Sequence, residues 1–387
     1  MPCVADALRQ HAPAYLDKYG DRVPLMHRKV LMAIMRCRTG ELGSLIYQCK
    51  VCSAGHWVGR SCGNRHCPNC QKEKTQDWLD AQTQKLLPAE HFVVTFTVPQ
   101  ELRSLLRGNQ KAGYEAIFKA GSETIRTLLG NDKNLGSDKS GFFGVLHTWG
   151  RDPKDYHPHV HFVVPGGGVS RDGSKWLQVR SGQLFHPLPA KRLYKKLFVQ
   201  ALRRAGLYGQ MPPGVLKFDW VVNIQPVGNG QAVLKYLAPY VYRVALCDSR
   251  IVAVNGQGVT YRVKPSGQDR HVTRHAKGEQ FVRSFVQHIL PRGFQKIRYY
   301  GWMSPNCRLQ LADVRWLVWL WRGWAFCLGL ATFLCQPRKR SLPECRRCGG
   351  ELELIRVTNQ VGATIWQRQP TSGLHLPVSR LPARGPP

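Results

Sequence analysis

The stretch His157-Pro-His-Val-His-Phe-Val-Val-Pro-Gly-Gly-Gly168 decides how this chain folds, because His159-Val160-His161 runs straight into an apolar segment with the composition of a buried strand. Side chains alternate along a strand, so His159, His161 and Val163 fall on one face and Val160, Phe162 and Val164 on the other. One face is apolar enough to pack on a helix; the other presents two imidazoles, which side by side form a metal site. A second candidate strand, Gly144-Val-Leu-His-Thr-Trp149, precedes it, and the polar loop Arg151-Asp-Pro-Lys-Asp155 carries turn chemistry. Symmetric closure about that loop puts His147 opposite His161 on the same face, at roughly 5 Å, as a third ligand. The plain alternative is histidines in a core or at a surface, the usual fate of an isolated His; three on one face weigh against it. Gly166, Gly167 and Gly168 mark either a close backbone approach or a turn.

Composition narrows the partner. In 387 residues, 56 Lys and Arg stand against 24 Asp and Glu, a net +32 spread along the chain. Solubility needs far less, so the excess points to a polyanion, for which nucleic acid is the economical choice. A small neutral substrate gives no reason for such a charge. The N-terminus lacks the apolar core of a signal peptide, and the 13 cysteines include CxxC pairs at zinc-site spacings. Both features place the protein in a reducing cytoplasm. The segment from Trp316 to Cys335 has membrane-spanning length, but Arg322 inside it costs about 3 kcal/mol on insertion scales, and four tryptophans suit a buried helix.

Cys49-Lys-Val-Cys52 and Cys67-Pro-Asn-Cys70, separated by 14 residues, suit two knuckles folded over one Zn²⁺, with Cys49, Cys52, Cys67 and Cys70 as ligands. His56, Cys62 and His66 are left over, which keeps a different quartet or a second ion open. Cys345-Arg-Arg-Cys348 is half a zinc ribbon with no obvious second pair. Residues 1–45 read as helix, followed after the cysteines by a charged connector helix over Gln71–Leu87. His91–Val98 is a β-branched and aromatic strand suited to lie beside the histidine strand, and residues 100–130 read as helices across a sheet. The basic helix from about Ala190 to Leu207 reads either as a backbone groove or as a solvated face. After it come a strand at Phe218–Ile224 and short strands around 251–254 and 259–262.

In Lys235-Tyr-Leu-Ala-Pro-Tyr-Val-Tyr-Arg243, Tyr236 and Tyr240 stand one helical turn apart on one face. Alone they read as core tyrosines; beside a histidine metal strand they read as nucleophiles addressing one phosphate. Pro239 removes a backbone bond and opposes the carbonyl of Lys235, which makes Tyr240 the less secure of the two. Gln231 on the same helix is a rival third metal ligand.

Taken together, these residues resemble a family. The His-hydrophobic-His strand is similar to that of the HUH endonucleases, and Lys235–Arg243 resembles the paired-tyrosine helix of the rolling-circle insertion-sequence transposases. Ser61-Cys-Gly-Asn-Arg-His-Cys-Pro-Asn-Cys-Gln71 resembles that family's zinc-binding segment, and Leu290-Pro-Arg-Gly-Phe-Gln-Lys-Ile-Arg-Tyr-Tyr-Gly301 its C-terminal region. A lone HxH is weak; four motifs in order over most of the chain are strong. The resemblance implies an α+β fold with a HUH-type palm: a central antiparallel sheet, flanking helices, and a small N-terminal zinc-binding module.

The domains then run as 1–88 for the zinc-binding module with its connector, 89–250 for the catalytic domain, 251–350 for a C-terminal region, and 351–387 for a disordered tail. The implied activity is transposition by nicking and joining single-stranded or hairpin DNA ends. Mg²⁺ or Mn²⁺ sits on His159, His161 and His147, Tyr236 and Tyr240 form 5′-phosphotyrosines, and Lys235 assists deprotonation. A related replication initiator or relaxase shares the chemistry but fits the cysteine cluster less well. A noncatalytic zinc-dependent DNA-binding protein needs only the charge and the finger.

Overall fold

The computed structural model describes residues 2–150, 152, 154–242, 246–265, 270–323 and 343–368. In chain order, helices α1 (Val4–Tyr19) and α2 (Leu25–Met35) come first, then strands β1 (Ser44–Cys49) and β2 (Gly55–Gly59), and helix α3 (Pro68–Thr83). Strand β3 (His91–Thr97), helices α4 (Arg103–Gly108) and α5 (Gln110–Gly130), and the hairpin β4 (Phe142–Trp149) and β5 (Tyr156–Pro165) follow. Next are β6 (Gly167–Val169), β7 (Trp176–Gln178), α6 (Pro187–Arg204), β8 (Val221–Pro226) and α7 (Gln231–Tyr242). The chain continues through β9 (Ile251–Asn255), β10 (Gly258–Val263), β11 (Val272–Lys277), α8 (Gly278–Val286), β12 (Ile297–Tyr300) and α9 (Leu311–Arg322), then β13 (Leu352–Thr358) and β14 (Thr364–Gln367).

These elements divide into two units, one of residues 1–35 and 63–338, the other of 36–62 and 339–387. The class is α+β with antiparallel sheets, as expected. In the first unit a sheet of order β12-β4-β5-β3-β8 is antiparallel at every junction. One face carries Val160, Phe162 and Val164 with Phe92, Val94 and Phe96, covered by Tyr114, Ile117, Phe118 and Ile125 of α5 and Tyr194 and Phe198 of α6. Phe162 is the hub: Phe96, Phe118 and Phe142 meet it nearly edge-on, at ring separations of 5.6, 6.2 and 5.8 Å, the arrangement that aligns ring edges with ring faces. Gly144 makes room for it, since a Cβ there would stand 2.6 Å from its ring. The other face carries Val145 and Val163 with the histidines, and packs against Trp78 of α3, Leu234 and Leu237 of α7, and Val314 and Val318 of α9.

The N-terminal helices belong to the first unit, together with Cys67 and Cys70 at the start of α3. Within the first unit α1 packs on α8 and on the β9-β10-β11 sheet, where Val4 N–H donates to Asp248 and Lys18 pairs with Glu279 at 2.6 Å. The apolar stripe of α1 is thus buried against segments some 250 residues later. The second unit is a sheet of order β14-β13-β1-β2. The expected disordered tail from 351 is corrected with it: Leu352–Thr358 pairs along β1, and Thr364–Gln367 adds the next strand. Residues 369–387 lie outside the described residues, as does most of the apolar segment after α9. No helix among the described residues is long and apolar enough to cross a membrane.

Phe162→Ala removes the ring on which three others close, and should cost about 3–5 kcal/mol. Urea unfolding measures it; a loss under about 1 kcal/mol would mean that this face is not the core.

Candidate active site

β4 and β5 are fully laddered, and their register sets the site. His147 pairs with His159, and Val145 with His161, with a bulge between His147 and Trp149. The symmetric closure read from the sequence, with His147 opposite His161, is thus off by two residues. Closure centred on position 153 of the loop pairs His147 with His159, and the two-residue difference keeps the face, since two is the period of the pleat; the bulge shifts the register by one residue and only beyond His147. All three imidazoles still converge: ring centroids lie 5.1 Å apart for His147 and His159, 4.5 Å for His147 and His161, and 4.8 Å for His159 and His161. One nitrogen from each falls within 4.8 Å of the others, a spread that one ion closes by small ring rotations.

The surroundings choose which nitrogen faces inward. His159 Nδ1 donates to the carbonyl of His157 at 2.7 Å, and His161 Nδ1 meets the Thr95 hydroxyl at 2.8 Å. Both leave Nε2 as the ligand atom, the outer-shell pattern that orients metal-binding imidazoles. His157 is tied off differently, its Nδ1 accepting from Arg103 Nη2 at 2.6 Å. Trp149 lies parallel to His147 at 5.8 Å, and the Lys296 amine sits 4.8 Å from the Trp149 ring centroid. Burial, seconded by the neighbouring imidazoles, holds His147 and His159 well below the usual histidine range. It pushes His161 from 6.5 down to about 4. Neutral imidazoles are the form that binds a cation.

These histidines line a cleft of about 1010 Å³ together with Tyr236, Arg103, Asp152, Arg250 and Arg274. Tyr236 is 55% exposed, while Leu234, Leu237, Ala238 and Val241 of the same helix are buried. The core reading fails for Tyr236: α7 buries its other face and presents this phenol to the histidine cleft. Lys235 is exposed and Gln231 half-buried on α7, and neither lines the cleft. The helix runs through Pro239 to Tyr242, so Tyr240 lies within it; its side chain is outside the described atoms. Sequence reasoning did not assign Arg103, His157 or Asp152. His157 was visible in the quoted stretch, but Asp152 sits in the turn, where it accepts from Tyr261 at 3.3 Å and pairs with Arg274 at 3.4 Å, partners more than 100 residues away.

A second cavity of about 750 Å³ adjoins along β4, where Thr148 and His288 line it. Arg65, Lys74, Lys296 and Arg298 line it too, and among its described lining residues there is no carboxylate.

The cysteines fall differently from the spacing argument. Cys49 and Cys52 lie in the second unit, where their sulfurs meet those of Cys345 and Cys348. Antiparallel pairing of β1 with β13 brings the two knuckles together. Cys67 and Cys70 open α3 in the first unit, on either side of Pro68 at its first turn.

With the site in view, the comparisons are informative. Residues 141–310 match the family model described as "Putative transposase", and residues 7–98 match "Transposase zinc-binding domain". The chain is 34% identical to "Putative transposase y4qJ" of Sinorhizobium fredii over 335 residues, 81% of this chain and 83% of that protein. This chain belongs to the IS91/IS801 family of transposases. A second relative, "Transposase for insertion sequence element IS801" of Pseudomonas savastanoi pv. phaseolicola, is 28% identical over 299 residues, covering 70% of the chain and 68% of the relative. No solved structure matches. The transposase model spans the histidine hairpin, the tyrosine helix and the Leu290–Gly301 motif in one match, so the cleft's described lining, Arg103 apart, lies within the family's shared region.

The burial of His161 has a pH signature. Its folded pKa lies below the unfolded value, so its contribution is complete above about pH 6.5 and is lost as pH falls toward 4. The loss is at most about 3 kcal/mol. In metal-free protein, urea midpoints between about pH 7.5 and 4.5 should fall less steeply for His161→Gln than for wild type. Equal slopes would mean the imidazole is solvated.

Proposed function

We propose that this transposase nicks and rejoins single-stranded DNA at the ends of a mobile element, by HUH-type chemistry with Tyr236 as nucleophile. The observation that carries the reading is one cleft holding three buried imidazoles and an exposed phenol. A divalent ion on His147, His159 and His161, Mg²⁺ or Mn²⁺, supplies charge neutralisation at a phosphate. The donor set fits such an ion, with Nδ1 of His159 and His161 engaged elsewhere and imidazole more hospitable to Mn²⁺ than to Mg²⁺.

The chain's own groups do the rest. Tyr236 Oη bonds to phosphorus as the bond from phosphorus to the 3′ oxygen breaks. The DNA is left with a free 3′ hydroxyl and a 5′-phosphotyrosine, and the phenolic proton departs to solvent. One phosphoester replaces another, so the step is reversible and the strand can be rejoined without an external energy source. Arg103, Arg250 and Arg274 line the cleft and balance phosphate charge; Lys235, expected to help deprotonation, stands outside it. Tyr240, one turn along α7, is the proposed second nucleophile, which lets a donor end and a target end be held together in a rolling-circle transfer. The Arg65, Lys74, Lys296 and Arg298 cavity suits the backbone of the same strand.

Tyr236→Phe should abolish covalent capture of a single-stranded oligonucleotide carrying the element's end, while binding changes little, because the ring stays and only the hydroxyl goes. His161→Ala should abolish capture as well. Tyr240→Phe should permit a first cleavage and block full transfer. A denaturing gel of labelled DNA with Mg²⁺ or Mn²⁺ reads all three; an adduct that survives the Tyr236→Phe and Tyr240→Phe double variant refutes these nucleophiles.

Binding should also weaken steeply with salt. Lys74→Ala and Lys296→Ala should each lower the slope of log K against log salt by about 1. Unchanged slopes would remove the second cavity from the DNA path.

A further inference from the structure

Among its described residues the second unit has almost no core of its own. Its buried apolar cluster consists of Cys49, Cys345 and Leu352, with Tyr47, Cys52 and Ala54 packed partly against it. Trp57, Ile365 and Trp366 on its strands are exposed. A four-stranded sheet with so little burial is below the size at which apolar packing alone holds a fold, and small modules of this kind are stapled by a metal or disulfides. The side chains at the middle of this one are thiols.

Their arrangement is specific. Cys49 Sγ lies 3.5 Å from Cys348 Sγ, Cys52 Sγ lies 3.7 Å from Cys345 Sγ, and all four sulfurs fall within 4.8 Å of one another. Zinc–sulfur bonds of about 2.3 Å give a sulfur tetrahedron with edges of about 3.8 Å, so the cage already has the dimensions of a closed structural site. Each CxxC turn aims backbone N–H groups at its first sulfur: Val51 and Cys52 at Cys49, at 3.4 and 3.5 Å, and Arg347 at Cys345, at 3.4 Å. Those donors favour thiolates. Gly350 allows the close approach, since a Cβ there would stand 3.1 Å from Cys49 Sγ and 2.7 Å from Val51. His56 Nε2 sits 3.2 Å from Cys345 Sγ, where its N–H donates to a sulfur that is already a ligand.

We infer that Cys49, Cys52, Cys345 and Cys348 bind one structural Zn²⁺, so that a zinc ribbon is assembled from two knuckles 299 residues apart and closes the two ends of this unit on each other. The matched zinc-binding domain model stops at residue 98, so half of this ion's ligands lie far outside it. The half ribbon at Cys345 and Cys348 and the unmatched pair at Cys49 and Cys52 are then one site. The proposal does not depend on the nuclease chemistry, and its test leaves DNA out.

Full-length protein purified under reducing conditions should lose one equivalent of zinc per chain on Cys345→Ser with Cys348→Ser, and keep it on His56→Ala. Elemental analysis reads the metal. Undiminished zinc in the folded double-serine variant, or loss of an equivalent in His56→Ala, overturns the four-sulfur assignment. A second measurement avoids folding defects, because it uses wild type. Alkylation followed by peptide mass spectrometry should find Cys49, Cys52, Cys345 and Cys348 protected together, and released together by a chelator. Rapid alkylation of Cys345 and Cys348 while Cys49 and Cys52 stay protected overturns it, as does a mass two hydrogens short on a peptide pair, which marks a disulfide.

Discussion

The ladder between β4 and β5 is the constraint on which the rest of the first unit depends. Backbone bonds fix its register, and the pleat then sends His147, His159 and His161 to one side and Val160, Phe162 and Val164 to the other. A slip of one residue would exchange the faces, burying imidazoles under α5 and α6 and giving the cleft an apolar floor. The cost of that exchange is what holds the register. On one side it would leave hydrogen-bonding nitrogens without partners; on the other it would expose the ring cluster around Phe162.

The same burial explains why the site is chemically ready. Desolvation keeps the histidines uncharged, and side-chain and carbonyl contacts outside the triad fix the ring nitrogens. α7 is held by apolar contact with α3 on the histidine side of the sheet, so the phenol of Tyr236 rides on a packed element and not on a loop. Rigid elements on both sides of the cleft limit how far this phenol and the three imidazoles drift from one another, the kind of fixed geometry on which positioning depends.

Legibility followed range. The histidine strand, its faces, His91–Thr97 and the helices over 100–130 were readable, because period-2 and period-3.6 patterns are local. β11 was not: Val272–Lys277 is polar and mostly exposed, so no alternation marks it. The hairpin register was misread by two because composition marks where the turn lies and not the residue on which it centres; closure centred on position 153 gives the observed pair of His147 with His159. The cysteine quartet was misassigned because sequence spacing favours near partners, whereas the pairing of β1 with β13 joins residues about 300 apart. The tail failed for the same reason. Its strands carry too little apolar periodicity to be recognised alone, and form only where β13 lies along β1 and β14 along β13. The N-terminal helices were readable, but not that α8 packs on α1, since an amphipathic stripe tells that a face is buried and not what buries it.

Charge completes the division of labour. A net +32 supplies long-range attraction to a polyanion but no discrimination among its parts. Discrimination has to come from where carboxylates are kept. The cavity lined by Lys74, Lys296 and Arg298 has none among its described residues, whereas the histidine cleft contains Asp152, held by Tyr261 and Arg274. A fully basic cleft would bind any phosphate and hold product as firmly as substrate. An engaged carboxylate in the cleft beside the imidazoles lowers that indiscriminate attraction, so that tight phosphate binding would rest on the ion and arginines of the proposed reaction. Reversible strand transfer of the proposed kind would need that balance, because the same phosphate would have to arrive, change partners and leave.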